Sequence, residues 1–155
     1  MEGQAKPTRR SKVTGLQDAA RLARGALEER PELCLGGLFK QSRPVALVRA
    51  LLAAGADGLH VYSSPGAGYD VDLMIAAGAV AQVFIPGVTL ENRLCPNFRR
   101  AVEAGQVTAH ALDALTVVGG LMASAHGVPS REGRWACTNS TMWARTPGSV
   151  LGRTP

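Results

Sequence analysis

The chain has 155 residues, 46% of them apolar, and 18 glycines, which suits one folded α/β domain and excludes a disordered chain. The net charge of +5 comes from residues near the two ends: Lys6, Arg9, Arg10 and Lys12 at one, and Arg131, Arg134, Arg145 and Arg153 at the other. With no basic helix and no basic–aromatic interleaving between them, nucleic acid is not the expected partner. No apolar run reaches the length of a membrane span and no signal core follows the basic start, so the expectation is a cytoplasmic protein with no membrane partner.

Residues 1–13 are polar and basic and read as a mobile terminus. Thr14 is placed to cap a helix carrying Ala19, Ala20, Leu22, Ala23, Ala26 and Leu27, which Arg30-Pro31 ends. Leu33-Cys34-Leu35 is a short apolar strand, followed by Gly36-Gly37 and a polar loop to Arg43-Pro44. From Pro44, expected at the first helical position, Val45, Leu47, Val48, Leu51 and Leu52 recur at helical spacing up to Gly55. A strand that feeds a helix across two glycines is half of a parallel α/β unit, and ligands bind at such turns.

The unit repeats. Leu59-His60-Val61-Tyr62 is a second strand, with Ser63-Ser64-Pro65-Gly66-Ala67-Gly68 as its outgoing loop. Small residues there let backbone N–H groups meet an anion or oxyanion, although a plain surface turn has the same composition. Tyr69 to Ala77 is a short helix closed by Gly78, with Asp70 and Asp72 placed to complement its dipole. Val80 to Ile85 is a third strand, Phe98 to Ala104 a short helix with Arg99 and Arg100 on a solvated face, and Gln106-Val107-Thr108 a short fourth strand. Asp113 to Ala125 is an apolar helix with Gly119-Gly120 inside it. Residues 14–129 thus form the α/β domain, and 130–155, with Trp135 and Trp143 lacking apolar neighbours, read as an irregular tail.

Cys34, Cys95 and Cys137 are odd in number and form no Cys-x-x-Cys, so no metal site is expected. Cys34, in a strand, is expected to be a buried inert thiol.

Four segments in order carry a resemblance. These are Leu35-Gly36-Gly37-Leu38 with Arg43-Pro44; Gly66-Ala67-Gly68-Tyr69-Asp70 with Asp72-Leu73-Met74-Ile75; Phe98-Arg99-Arg100 with Glu103-Ala104-Gly105; and Ala125-His126-Gly127-Val128-Pro129. Together they resemble the A (alpha) subunit of family I coenzyme A transferases, in its glutaconate CoA-transferase branch, which includes CoA-dependent ring-cleaving hydrolases of steroid degradation. The resemblance implies an open, mostly parallel sheet with flanking helices in three Rossmann-like layers, shortened at its C-terminal end relative to the family. It also implies a CoA-transferase beta subunit as partner, in a heterodimer or heterotetramer, which contributes the glutamate that attacks the thioester. A coenzyme A thioester is then the substrate, with no cofactor permanently bound. By position, Gly36 and Gly37 fall on the cleft floor, and Ser64, Gly66 and Gly68 on the loop that faces acyl-CoA.

Hydrolase-like members of the family have an acidic residue just after the fourth strand, where this chain has His110, a candidate base able to titrate near neutral pH. Three functional readings stay open on the sequence: CoA transfer, CoA-thioester hydrolysis in ring degradation, and a shortened non-catalytic binding module. A sugar-phosphate isomerase of related architecture is disfavoured, since no lysine accompanies the Ser63–Gly68 loop. Missing strands would leave a sheet edge exposed, which predicts poor solubility without a partner.

Overall fold

A computed structural model describes residues 13–38 and 40–127. In chain order the elements are α1 (Leu16–Glu29), β1 (Glu32–Leu35), α2 (Val45–Ala53), β2 (Leu59–Ser63), α3 (Tyr69–Ala76), β3 (Val80–Ile85), α4 (Pro96–Glu103), β4 (Thr108–Ala111) and α5 (Ala114–Ala125). The strands form one open sheet in the order β1-β2-β3-β4, every pair parallel. This is the open parallel α/β architecture with flanking helices that the strand–glycine–helix repeat predicts.

Consecutive parallel neighbours joined by right-handed crossovers place α2, α3 and α4 on one side of the sheet. The side chains agree. Leu59, Val61 and Ser63 of β2 are buried, as are Val83 and Ile85 of β3, and they meet Val48 and Leu51 of α2 and Val71 and Met74 of α3. Each such Val, Leu or Met contributes about 1.5–3 kcal/mol by leaving water. His60 and Tyr62 alternate with the buried set and point to the opposite face, where they are only half-buried. The buried core is therefore aliphatic, with Phe98 of α4 packed at its margin, while the rings of Tyr62 and Phe84 sit on the other face.

Glycine closes several helices as expected: Gly55 (φ 78°), Gly78 (φ 74°) and Gly105 (φ 69°) take left-handed conformations immediately beyond them. Four local expectations are corrected. Gly15, not Thr14, stands at the N-cap of α1, and Pro44 is the N-cap of α2 rather than its first residue. The fourth strand is Thr108–Ala111, not Gln106–Thr108. Val107 is buried before the strand starts, whereas the strand itself is largely exposed and lacks the alternation that marks a half-buried strand. Cys34 is exposed, because β1 turns Leu33 and Leu35 toward the helices and Cys34 away from them. The readings made for residues 1–12 and 128–155, including both tryptophans and Cys137, lie outside the described residues. Among the described residues no helix is long and apolar enough to cross a membrane.

Candidate functional site

Leu35 and Ser63 are register partners at the ends of β1 and β2, so the chain leaves both strands side by side at one edge of the sheet. In open parallel sheets this carboxyl edge is where ligands bind. Arg43, at the end of the first loop, reaches back between the two exits. Its Nη2 and Nε lie 2.7 and 2.8 Å from Asp70 Oδ1, and its Nη1 donates to the carbonyl oxygens of Gly37 (2.9 Å) and Gly66 (3.1 Å). Ser63 Oγ donates to Leu35 O at 2.8 Å and sits 3.3 Å from Arg43 Nη2. The Arg43 and Asp70 side chains are 1% and 0% exposed, so this is a fully desolvated ion pair. Hydrogen bonds to the remaining donors and acceptors offset part of the desolvation cost of such a pair. The guanidinium makes them with two carbonyls and a hydroxyl, while Asp70 Oδ2 stays buried without a partner among the described residues.

Gly37 is required by this arrangement. Its φ of 113° is one that side chains rarely adopt, and a Cβ there would lie 2.6 Å from Arg43 Cδ and 2.7 Å from the Ser42 carbonyl oxygen. The second loop is held from the other side as well. Ala67 N–H donates to Gly87 O and Thr89 N–H donates to Ala67 O, each at 3.0 Å, and Ser64 Oγ donates to Ala114 O at the start of α5. One turn into α3, the buried Asp72 accepts from Phe98 N–H and from Asn97 Nδ2, each at 2.8 Å, which ties α3 to the first turn of α4. The two aspartates read as dipole complements thus have specific partners. Arg99 and Arg100 are exposed and bonded within α4 to Glu103 and Asn97, as a solvated face requires.

Cys95, which precedes α4, is fully buried. Burial first, then the negative charges of Asp72 and Asp70, push its thiol up to about 12. The protonated thiol is neither a nucleophile nor a metal ligand at neutral pH. Among the described residues no three His, Cys, Asp or Glu side chains are grouped to hold a metal ion.

The sheet face opposite α2–α4 carries two rows set by strand register. One runs Cys34, Tyr62, Phe84, His110, and the other Glu32, His60, Gln82, Thr108. In the first row the Tyr62 and Phe84 rings stack with centroids 4.5 Å apart, and the Phe84 and His110 rings at 4.4 Å, nearly parallel in both cases. Between the rows, the Gln82 amide bridges two imidazoles: its Nε2 is 3.2 Å from His60 Nε2, and its Oε1 is 3.0 Å from His110 Nε2. His110 is held below the ordinary imidazole value, by loss of solvent first and by His60 second. Tyr62 is raised, by burial first and by Glu32 second.

The candidate residues therefore divide. Gly36 is exposed and Gly37 and Ser64 are half-buried at the edge of the sheet, while Gly66 and Gly68 are buried beneath them. The space expected between the two turns as bare backbone is instead filled by Arg43, which occupies the carbonyls of Gly37 and Gly66. His110 belongs to β4 itself, two strands from β2, and its ring lies on the opposite sheet face from the core. Sequence reasoning misses Ser63, Arg43 and Asp70 as one cluster. The Arg-Pro and Tyr-Asp pairs are visible, but Arg43 and Asp70, 27 residues apart, meet only because β1 and β2 are parallel neighbours.

No family model matches the chain. Over 124 residues it is 32% identical to the cholesterol ring-cleaving hydrolase IpdA subunit of Rhodococcus jostii (strain RHA1), a match that covers 79% of this chain and 40% of that protein. Among solved structures, a variant of the decarboxylase AibA/AibB superposes with a TM-score of 0.56 at 29% identity, over 68% of this chain and 43% of that one. The chain thus spans about two fifths of the length of each. Both are enzymes, and the names describe one as a subunit and the other as an AibA/AibB assembly. The expected identification as the A subunit of a family I CoA-transferase of the glutaconate type is overturned here, since the relative found by sequence is a ring-cleaving hydrolase subunit and the structural neighbour a decarboxylase.

Proposed function

We propose that this chain belongs to one subunit of a hydrolase that opens a carbon ring in a coenzyme A thioester, working with a second subunit. The observation that carries the reading is the 32% identity to a ring-cleaving hydrolase subunit, which spans most of the described domain. The site's form supports it. Two loops are locked together at the carboxyl edge of a parallel sheet, where an acyl chain can be laid across exposed backbone at Gly36 and beside Gly37 and Ser64. Gly66 and Gly68, being buried, shape the second loop rather than meet the substrate. Backbone N–H groups at these positions are suited to an oxyanion formed as water adds to a ring carbonyl.

The decarboxylase neighbour favours a second reading, loss of carbon dioxide from an acyl-CoA on the same scaffold. One experiment separates them. The full chain is co-expressed with a candidate partner subunit and given CoA thioesters of cyclic ketones and of unsaturated diacids, and the products are weighed. Ring hydrolysis adds one water and keeps the thioester, whereas decarboxylation removes carbon dioxide. A complex that leaves every thioester unchanged contradicts both readings.

A further inference from the structure

We propose that His60, Gln82 and His110 form a proton-accepting site in which one primary amide fixes the tautomers of two imidazoles and admits a single excess proton, taken up at His110 Nδ1. The geometry is the two contacts of Gln82, one through each end of its amide. An amide oxygen only accepts, so His110 Nε2 must carry the hydrogen it donates to Oε1, which leaves the lone pair at Nδ1. An amide NH2 only donates, so His60 Nε2 must be the bare nitrogen and its hydrogen sits on Nδ1. A proton that arrives at His110 binds at Nδ1, and the existing bond to Gln82 becomes charge-assisted and stronger. A proton that arrives at His60 must bind Nε2, where it confronts the amide hydrogens and breaks that bond.

The surroundings fit this use. His110 lies on β4, at the end of the ring row and at the edge of the described sheet, half-buried and backed on one face by Phe84. The ionisable groups of the two rows are Glu32 and Cys34 on β1 and Tyr62 on β2, while β3 adds only the neutral Gln82 and Phe84 and β4 the neutral Thr108. α5, which packs against β3, carries no ionisable side chain between Ala114 and Ala125. Glu32, beside His60 in register, is the one carboxylate in the two rows. The site takes an O–H donor, water or a substrate hydroxyl, whose proton passes to Nδ1. On the hydrolase reading above, on which this step rests, His110 removes a proton from water as the water oxygen bonds to a carbonyl carbon. The same proton then moves to the carbon released when the C–C bond breaks. In that scheme Gln82 is a positioning residue.

Nitrogen NMR of the isotopically labelled full chain tests the site without substrate. At mildly alkaline pH, His110 is expected to show a bare Nδ1 and His60 a bare Nε2, and on acidification the proton taken up by His110 is expected at Nδ1. In Gln82→Glu the carboxylate accepts from both rings, so His60 moves its hydrogen to Nε2 and the His110 titration moves up by about 1–3 pH units. In Gln82→Leu both rings revert to mixed tautomers. A bare Nε2 on His110, simultaneous protonation of the two rings in the unaltered chain, or unchanged tautomers in Gln82→Leu would overturn the proposal. For the catalytic step, His110→Gln should lower ring hydrolysis by about 100-fold or more, and full activity in that variant overturns that role. A wild-type complex inactive on every thioester counts against the hydrolase and decarboxylase readings and not against the amide-bridged site, because the NMR result does not depend on them.

Discussion

Two regions of the same sheet handle polar groups in opposite ways. Between the exits of β1 and β2, the Arg43–Asp70 ion pair is fully buried and the guanidinium is committed to named partners. Across β2, β3 and β4, on the other face, His60, Gln82 and His110 are half-exposed and joined through a single amide. A buried guanidinium with saturated partners has nothing left to give a reaction, so the work of the pair is to set the position of two loops. A neutral imidazole near its titration range keeps a nitrogen for chemistry. The first region is a fastener, and the second is where protons can move.

The sharpest way to break this contrast is at the fastener. Replacing Arg43 with Met strands the Asp70 carboxylate in a dry site and should cost about 3–5 kcal/mol in denaturant unfolding. Arg43→Met combined with Asp70→Asn should cost less than the sum of the single changes. Additive losses would show that the two side chains are not a unit. Gly37→Ala comes next. The left-handed backbone and the 2.6 Å approach to Arg43 Cδ predict a loss of about 1–3 kcal/mol, read as a lower midpoint with an unchanged slope. Asp72→Ala, which frees the first turn of α4, should cost about 0.5–2 kcal/mol and raise amide exchange at Phe98.

The region on the open face should answer to pH instead. Folding holds His110 below its ordinary value, so the unfolded chain binds its proton more readily than the folded one does. That contribution to stability is complete above the ordinary imidazole value and is lost as pH falls from there through the folded value. Midpoints measured across this window should drop on acidification, and His110→Gln should flatten the slope. The mildest test compares two thiols. Exposed Cys34 should be alkylated in the native chain, and Cys95, buried and pushed up to about 12, only after unfolding, as peptide mapping will show.

These residues also mark how far the sequence can be read. Val80–Ile85 is legible because a β-rich apolar run sits between Gly78 and Pro86, and the glycines that end α2, α3 and α4 announce themselves by position. The start of β4 is missed because an exposed edge strand, Thr-Ala-His-Ala, has no buried face to impose a period. Cys34 is misread as an inside residue because a four-residue strand does not reveal which face a neighbouring helix will cover. The glycines at the turns are visible as candidates. The arginine that fills the gap between them is not, since its partner lies 27 residues away and meets it only through strand pairing. The same limit hides Gln82, an ordinary strand residue until β2 and β4 bring a histidine to each side of it.

The most direct test of the proposed chemistry follows heavy oxygen from labelled water through the reaction of the co-expressed complex with a CoA thioester of a cyclic ketone. Hydrolysis at the ring predicts the label in the newly formed carboxylate, with the thioester intact. Label found only in an acid released together with free coenzyme A, or in no product at all, would contradict it.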